Sequence, residues 1–439
     1  MAMGVEMREI LGRLRYGSIA VLSMASAAGV FAYGQSKSTL PQHWVSTWAT
    51  AQELAPTVPD QPILAPGVKR PNFSGNRRRN PPNIPTDVTD QTIRMIVHTS
   101  IGGKWLRIEL SNAFQKGAVT IGGAHIAVRS NGSSIEPGTD REITFAGTKT
   151  ITLQPGVLIV SDPVNLDFKP LSDLAVSLYV KQSAGIPTAH TLGLHTSYIS
   201  KGDVTAQNSV PPGSTTTSYL WLRSVDVDAP KDDFAVVCLG DSITDGQATT
   251  LDANQAWPTL LAERLHGEGN SRVAVLNEGI SGNQVLRDGA GVSALARFDR
   301  DVASIPGVKW VIVLEGINDI NIHGQVTDVD ALTPQDLIVG YRQIIQRAHM
   351  LGLKVMGATL TSDEGIWLYG PVGEQTRTAV NTWIRTGGEF DAIVDFDTAT
   401  RDRSHVARLH AAFNSGDNIH PNDAGNRAMA GAIPTKLLR

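Results

Sequence analysis

Cysteine is nearly missing from this chain: Cys238 is the only one among 439 residues. One thiol closes no intrachain disulfide, so stability has to come from core burial. Cys238 itself lies within an apolar run and reads as a packed core thiol. An excess of charge of either sign is also lacking. The formal net charge is −4, and Arg77-Arg78-Arg79 is the only dense basic run. That triplet sits in a Pro/Asn-rich stretch and reads as a solvated loop, so nothing points to nucleic acid or an anionic membrane as a partner. The N-terminal apolar stretch, 17–31, is broken by serines and falls short of the roughly 20 residues a spanning helix needs. Internal repeats, coiled-coil heptads, a phosphate-binding glycine loop and a His/Cys/Glu cluster at metal-ligand spacing are absent as well, so no cofactor or metal is expected.

The chain does carry the marks of export and of two unlike halves. Arg8, Arg13 and Arg15 precede the apolar stretch, and small residues follow at Ala25-Ser26-Ala27 and Ala32-Tyr33-Gly34. This pattern predicts a signal peptide over 1–34 and an exported protein without an integral span after cleavage. At 439 residues the chain exceeds one ordinary domain. Residues 35–229 read as an all-β accessory domain of sandwich or jelly-roll type. Short β-branched runs at 92–99, 105–111, 124–129, 148–153, 158–160 and 174–180 are separated by turn residues. A Pro/Arg-rich loop is expected near 56–86. From 230 to 439 the pattern changes to α/β. Apolar runs at 234–239, 272–276, 308–314, 353–360 and 391–396 alternate with helical patterns, which predicts a doubly wound, flavodoxin-like parallel sheet. Thr333-Pro334 opens one of its helices and Gly352 closes it.

Four segments fall at strand ends, the edge of such a sheet where ligands bind. Gly240-Asp241-Ser242 ends the first apolar run, Gly279-Ile280-Ser281-Gly282-Asn283 follows the second and Glu315-Gly316-Ile317-Asn318-Asp319 the third. Asp417-Asn418-Ile419-His420-Pro421 lies near the C-terminus. Acyl transfer needs a hydroxyl, an imidazole base and an acceptor that holds the other ring nitrogen. Asp417, three positions before His420, can fold back onto Nδ1 and leave Nε2 for Ser242. The negative intermediate needs donors, for which the N–H groups of Ser242 and Gly282 and the Asn318 amide are candidates. Each residue also has a plain reading. Gly240-Asp241-Ser242 can be an ordinary turn, Asn318 a cap, Gly282 a conformational glycine. Asp241, Asp245 and Asp319 read as structural, His323 as a loop residue, and Ser281 as a false match to the G-x-S-x-G elbow.

Taken in order, the four segments resemble the blocks of the SGNH hydrolases, the GDSL esterase/lipase superfamily, whose named residues match Ser242, Gly282, Asn318 and His420. Trp44 to Ala49 and Ser415-Gly416-Asp417 further resemble its exported two-domain bacterial members. The resemblance implies a serine esterase acting on acylated carbohydrates, short-chain lipids or aryl esters through a Ser242–His420–Asp417 triad. Acyl transfer to a sugar hydroxyl and a catalytically dead carbohydrate-binding protein are the alternatives. The β-rich half can be a carbohydrate-binding module or a wall of the catalytic pocket, and Trp367 and Tyr369 either line an acyl pocket or pack.

Overall fold

The computed structural model describes residues 43–53, 84–211, 213–323 and 332–439. The expected export segment, most of the loop near 56–86 and the arginine triplet lie outside the described residues. Among those described, no helix is long and apolar enough to cross a membrane.

In the N-terminal part, alternating runs give each strand one apolar face, and antiparallel pairing lets those faces stack. One sheet runs Trp44–Ala49, Leu222–Asp228, Gly103–Ser111 and Leu158–Val160, with Val164–Phe168 also on Gly103–Ser111. The other runs Ser214–Thr216, Ser197–Lys201, Gln91–His98, Asp173–Ser183 and Val119–Asn131. Three short strands pair along Val119–Asn131. Alternation is visible along Gln91–His98: Ile93, Met95 and Val97 join the main core, while Ile96 belongs to a small cluster on the opposite face. Arg94 also points away from the main core. Although buried, it donates to Ser177 Oγ and to the carbonyls of Ser133, Thr205 and Gln207, so its charge is compensated by oxygen acceptors.

The C-terminal part holds five parallel strands, Phe234–Gly240, Val273–Gly279, Val308–Leu314, Lys354–Ala358 and Ala392–Val394. In space the second stands first, then the first, third, fourth and fifth. Near-continuous burial of Phe234–Gly240 is what a strand covered on both faces requires. Parallel strands need crossover connections, and helices supply them here. Trp257–Gly267 packs on Asp423–Ala432, and Pro334–Met350 on Pro371–Thr386. Thr333 caps the third of these through a reciprocal pair with Asp336, Pro334 occupies its first turn, and Gly352 follows at φ +73°. The fifth strand is shorter than its apolar run at 391–396. It stops at Val394 because Asp395 caps a new helix, accepting from Thr398 N–H. The last helix stops at Ala432, two residues before Pro434.

The two parts share one buried cluster, from Val45 through Val237 to Leu438. They also meet through backbone. Thr50 forms a parallel bridge with Asn277, and Ser100 Oγ donates to Val275 O at 2.7 Å. Residues of the β-rich part therefore cover the outer edge of Val273–Gly279. Cys238 is fully buried, and burial pushes its thiol well above the ordinary range, which leaves it protonated and unreactive.

Candidate active site

The first strand ends on Gly240, where a side chain does not fit: a Cβ would stand 2.4 Å from Leu314 O. Asp241 then caps a single helical turn, Ser242–Asp245, by accepting from Ile243 N–H at 2.9 Å. Ser242 is thus the first residue of a helix at the carboxy edge of the sheet. His420 arrives from the far end of the chain. Its Nε2 lies 2.8 Å from Ser242 Oγ and its Nδ1 2.6 Å from Asp417 Oδ2. Asp417 Oδ1 accepts from the N–H groups of Ile419 and His420 at 3.1 and 2.9 Å. Burial alone would raise the Asp417 carboxyl. The hydrogen bond and charge of His420, with those two N–H groups, outweigh it and hold the carboxyl well below its usual range. An ionised acceptor on Nδ1 fixes the tautomer that leaves Nε2 free to accept the serine proton.

Asn418 sits in this loop at φ +69°, a left-handed conformation that asparagine tolerates better than most residues. Its N–H donates to Asn414 Oδ1, and its own side-chain oxygen accepts from Asn414 Nδ2. Asparagine therefore does here what glycine would do. Gly365, at the start of the loop bearing Trp367 and Tyr369, lies directly against Asn418. Trp367 is 42% exposed in that loop.

The second loop turns sharply at Gly282, whose φ is +85°. Asn283 N–H closes the turn onto Ile280 O, and Ser281 N–H goes to Asp245 Oδ2. Asn318 Nδ2 donates to Asn283 O at 2.9 Å, and Asp319 accepts from the N–H groups of Val285 and Leu286. The third loop thereby holds the second in place. Asp319 is buried, which pushes its carboxyl up to about 6 despite those two donors. Asp241 beneath Ser242 is likewise pushed up to about 7 by burial, and the neighbouring Asp319 and Asp245 add to the shift. Ser242, Asp417 and His420 are in hydrogen-bonded series, and Gly282 and Asn318 meet at Asn283. Ser281 is tied by its hydroxyl to Asp245 at 2.7 Å. His323 ends a short helix, Ile317–His323, rather than lying in a loop.

Two participants escape sequence reasoning. Arg297 is fully buried and donates to the carbonyl oxygens of Gly240 and Glu278 and to Asn283 Oδ1, with Asp301 at 3.1 Å. One guanidinium thus fastens two strand ends and the Gly282 loop. Its signal is an arginine on the buried face of a short helix, four residues before an aspartate. The second is His190, which comes from the β-rich part and has no local signal at all. With Glu53 and Asp245 it forms a buried cluster whose donor atoms lie within 4.8 Å of one another. Both imidazole nitrogens already face oxygen acceptors: Nδ1 lies 2.8 Å from Ala51 O, and Nε2 lies 3.0 Å from Asp245 Oδ1. A metal ligand needs a free nitrogen lone pair, so this donor set fits an imidazolium better than a metal ion. A cavity of about 70 Å³ lies beside it, between the two parts, lined by Trp48, His98, His195, Tyr219 and Asn254 among others. Ser242 does not line it, so it is not the catalytic cleft.

Residues 238–428 match the GDSL-like Lipase/Acylhydrolase family. Among solved structures the chain is similar to an M. smegmatis aryl esterase (17% identity, 47% of this chain and 98% of that one, TM-score 0.38). It is also similar to an acetyl xylan esterase from Geobacillus stearothermophilus (23% identity, 46% and 94%, TM-score 0.36). A GDSL-like lipase from Bacteroides thetaiotaomicron is a further one (18% identity, 48% and 90%, TM-score 0.36). No curated protein matches the chain. The family match runs from inside the first strand to the helix after His420, across every loop that meets at this edge, and residues 238–428 are therefore a GDSL-like lipase/acylhydrolase domain.

Proposed function

We propose that the protein is a serine esterase working through an acyl-enzyme. The observation that carries this reading is the unbroken series from Asp417 Oδ2 to His420 Nδ1 (2.6 Å) and from His420 Nε2 to Ser242 Oγ (2.8 Å). Ser242 Oγ attacks the ester carbonyl carbon while His420 Nε2 takes its proton. Asp417 stabilises the imidazolium so formed. The carbonyl oxygen becomes an oxyanion that accepts from the N–H groups of Ser242 and Gly282 and from Asn318 Nδ2. The C–O bond to the alcohol then breaks, and His420 returns the proton to the leaving oxygen. Water attacks the acyl-serine by the same route and frees the acid.

The order of the parallel strands supports a flavodoxin-like description, in which a site at the strand ends is expected. The two antiparallel sheets support a sandwich. We read the β-rich part as a wall and brace of the catalytic part rather than a separate binding module, because the two share a core and a backbone bridge. Trp367, exposed on the loop that packs on Asn418, and Tyr369 of the same loop are the aromatics we propose for contact with an acyl or aryl group. Acylated carbohydrates, short-chain lipids and aryl esters are the substrate classes to compare.

The test is turnover of p-nitrophenyl acetate by wild type and Ser242→Ala, with organophosphate labelling read by mass spectrometry. The expected result is loss of turnover in the variant and label on Ser242 alone. Label on Ser281 or Ser415, or activity retained without the Ser242 hydroxyl, would overturn the reading. A panel of aryl esters of rising chain length beside acetylated polysaccharides then ranks the substrate classes.

A further inference from the structure

The hydrolytic cycle above has no use for Asp245, yet this residue closes the helical turn that Ser242 begins. It is 2% exposed, and both of its oxygens are engaged. Oδ2 accepts from Ser281 twice, from N–H at 3.0 Å and from Oγ at 2.7 Å. Oδ1 faces His190 Nε2 at 3.0 Å. His190 belongs to the other half of the molecule, where it lies in the short strand Ala189–His190. Its remaining nitrogen points at Ala51 O, 2.8 Å away, with Glu53 Oε1 at 3.4 Å. Both ring nitrogens therefore carry protons, and the ring is a buried cation between two buried carboxylates. Tyr219 stacks on it with ring centroids 6.4 Å apart and planes 22° apart, and Trp48 packs edge-on against Tyr219.

A buried carboxylate with no partner on one oxygen is costly and would turn toward water. Turned away, Asp245 would no longer accept the two hydrogen bonds that hold Ser281. Ser281 directly precedes Gly282, so these bonds fix the backbone that enters the turn at φ +85°. We propose that His190 is a positioning residue of the catalytic centre: it holds Asp245, and Asp245 holds Ser281, which aims the Gly282 N–H at the developing oxyanion. The β-rich half thus reaches the reacting atoms through three side chains in series. This inference rests on the reading of Gly282 as an oxyanion donor.

The experiment is a kinetic cycle on the full chain with p-nitrophenyl acetate. His190→Gln keeps a donor for Asp245 without the charge, and His190→Leu keeps neither. Misplaced catalytic groups cost up to about a hundredfold, so kcat is expected to fall about tenfold in His190→Gln and about a hundredfold in His190→Leu, with KM within about twofold. Ser281→Ala removes one of the two bonds to Asp245 and should also lower kcat. Because both positions act through Asp245, the double variant should be little slower than the slower single variant. A variant that is folded by circular dichroism and has wild-type kcat, or losses that multiply in the double variant, would overturn the inference. Should His190→Leu fail to fold, His190→Gln and Ser281→Ala complete the same cycle. Failure of the esterase reading is distinguishable, since it would appear as activity surviving in Ser242→Ala whatever the His190 variants do.

Discussion

Two residues near Ser242 serve best to separate chemistry from architecture. Asn318→Ala removes one proposed oxyanion donor, worth about 3 kcal/mol or roughly a hundred- to thousand-fold in kcat. The expected outcome is that loss with KM nearly unchanged. Steady-state kinetics showing intact kcat and raised KM would make Asn318 a substrate-binding residue instead. Asp417→Asn should lower kcat by up to about ten-thousand-fold through the wrong imidazole tautomer. It should also change stability in acid. The folded-state value of Asp417 lies below its ordinary 3.8, so its contribution is present above that value and is lost as pH falls through the depressed one. Urea midpoints measured from pH 5 downward should therefore fall more steeply in wild type than in Asp417→Asn. Parallel slopes would detach Asp417 from the acid limb. Most of this centre is legible in the chain, because Ser242, Gly282, Asn318 and His420 each sit at the end of a recognisable pattern. Arg297 is not, since its partners are carbonyl oxygens brought together only by the folded sheet.

Elements are legible to the extent that their signals are local. Thr333, Pro334 and Asp336 lie within four consecutive residues and specify a helix start by themselves. Removing that cap by Thr333→Ala should cost about 1 kcal/mol and lower the thermal midpoint without touching kcat. A change in kcat at constant substrate affinity would mean that this helix start is coupled to the site. The second parallel strand is less legible. It continues through Asn277, Glu278 and Gly279, whose polar character suggests a loop. Asn277 is held there by tertiary bonds, its amide donating to Thr244 O and its backbone bridging Thr50. Lone-sequence periodicity does not contain those bonds. The same holds for the fifth strand, where an apolar run of six gives way after three residues because Asp395 finds a helix to cap.

At the scale of the whole molecule, the boundary near residue 229 is the place where composition and packing diverge. The change in pattern there is plain, yet the core runs across it. His190 is the sharpest expression of this. Burial alone would lower its pKa, but Asp245, Glu53 and the Ala51 carbonyl raise it to about 10. Its stabilising effect is full below the unfolded value of 6.5 and is lost as pH rises toward about 10. The groups facing the ring are Glu53, Asp245 and Tyr219, and burial keeps the Tyr219 hydroxyl neutral well above its ordinary range. Denaturation midpoints measured from pH 6 to pH 10 should decline in wild type, and the decline should be shallower in His190→Gln. Equal slopes would show that the ring does not govern alkaline stability. Chelation with EDTA should leave esterase turnover at its starting rate, because the proposed nucleophile, base and donors all come from the chain. Recovery of a lost rate on adding zinc or calcium would place a metal in the cycle.

Ser100 and Thr50 occupy the flank of Val273–Gly279, and what they do there extends past catalysis. An uncovered border of a parallel sheet is a template on which another chain can add itself, strand against strand. The β-rich half seats its own backbone on that border and so covers it. Loosening this seam would bare that strand border to pairing by another chain.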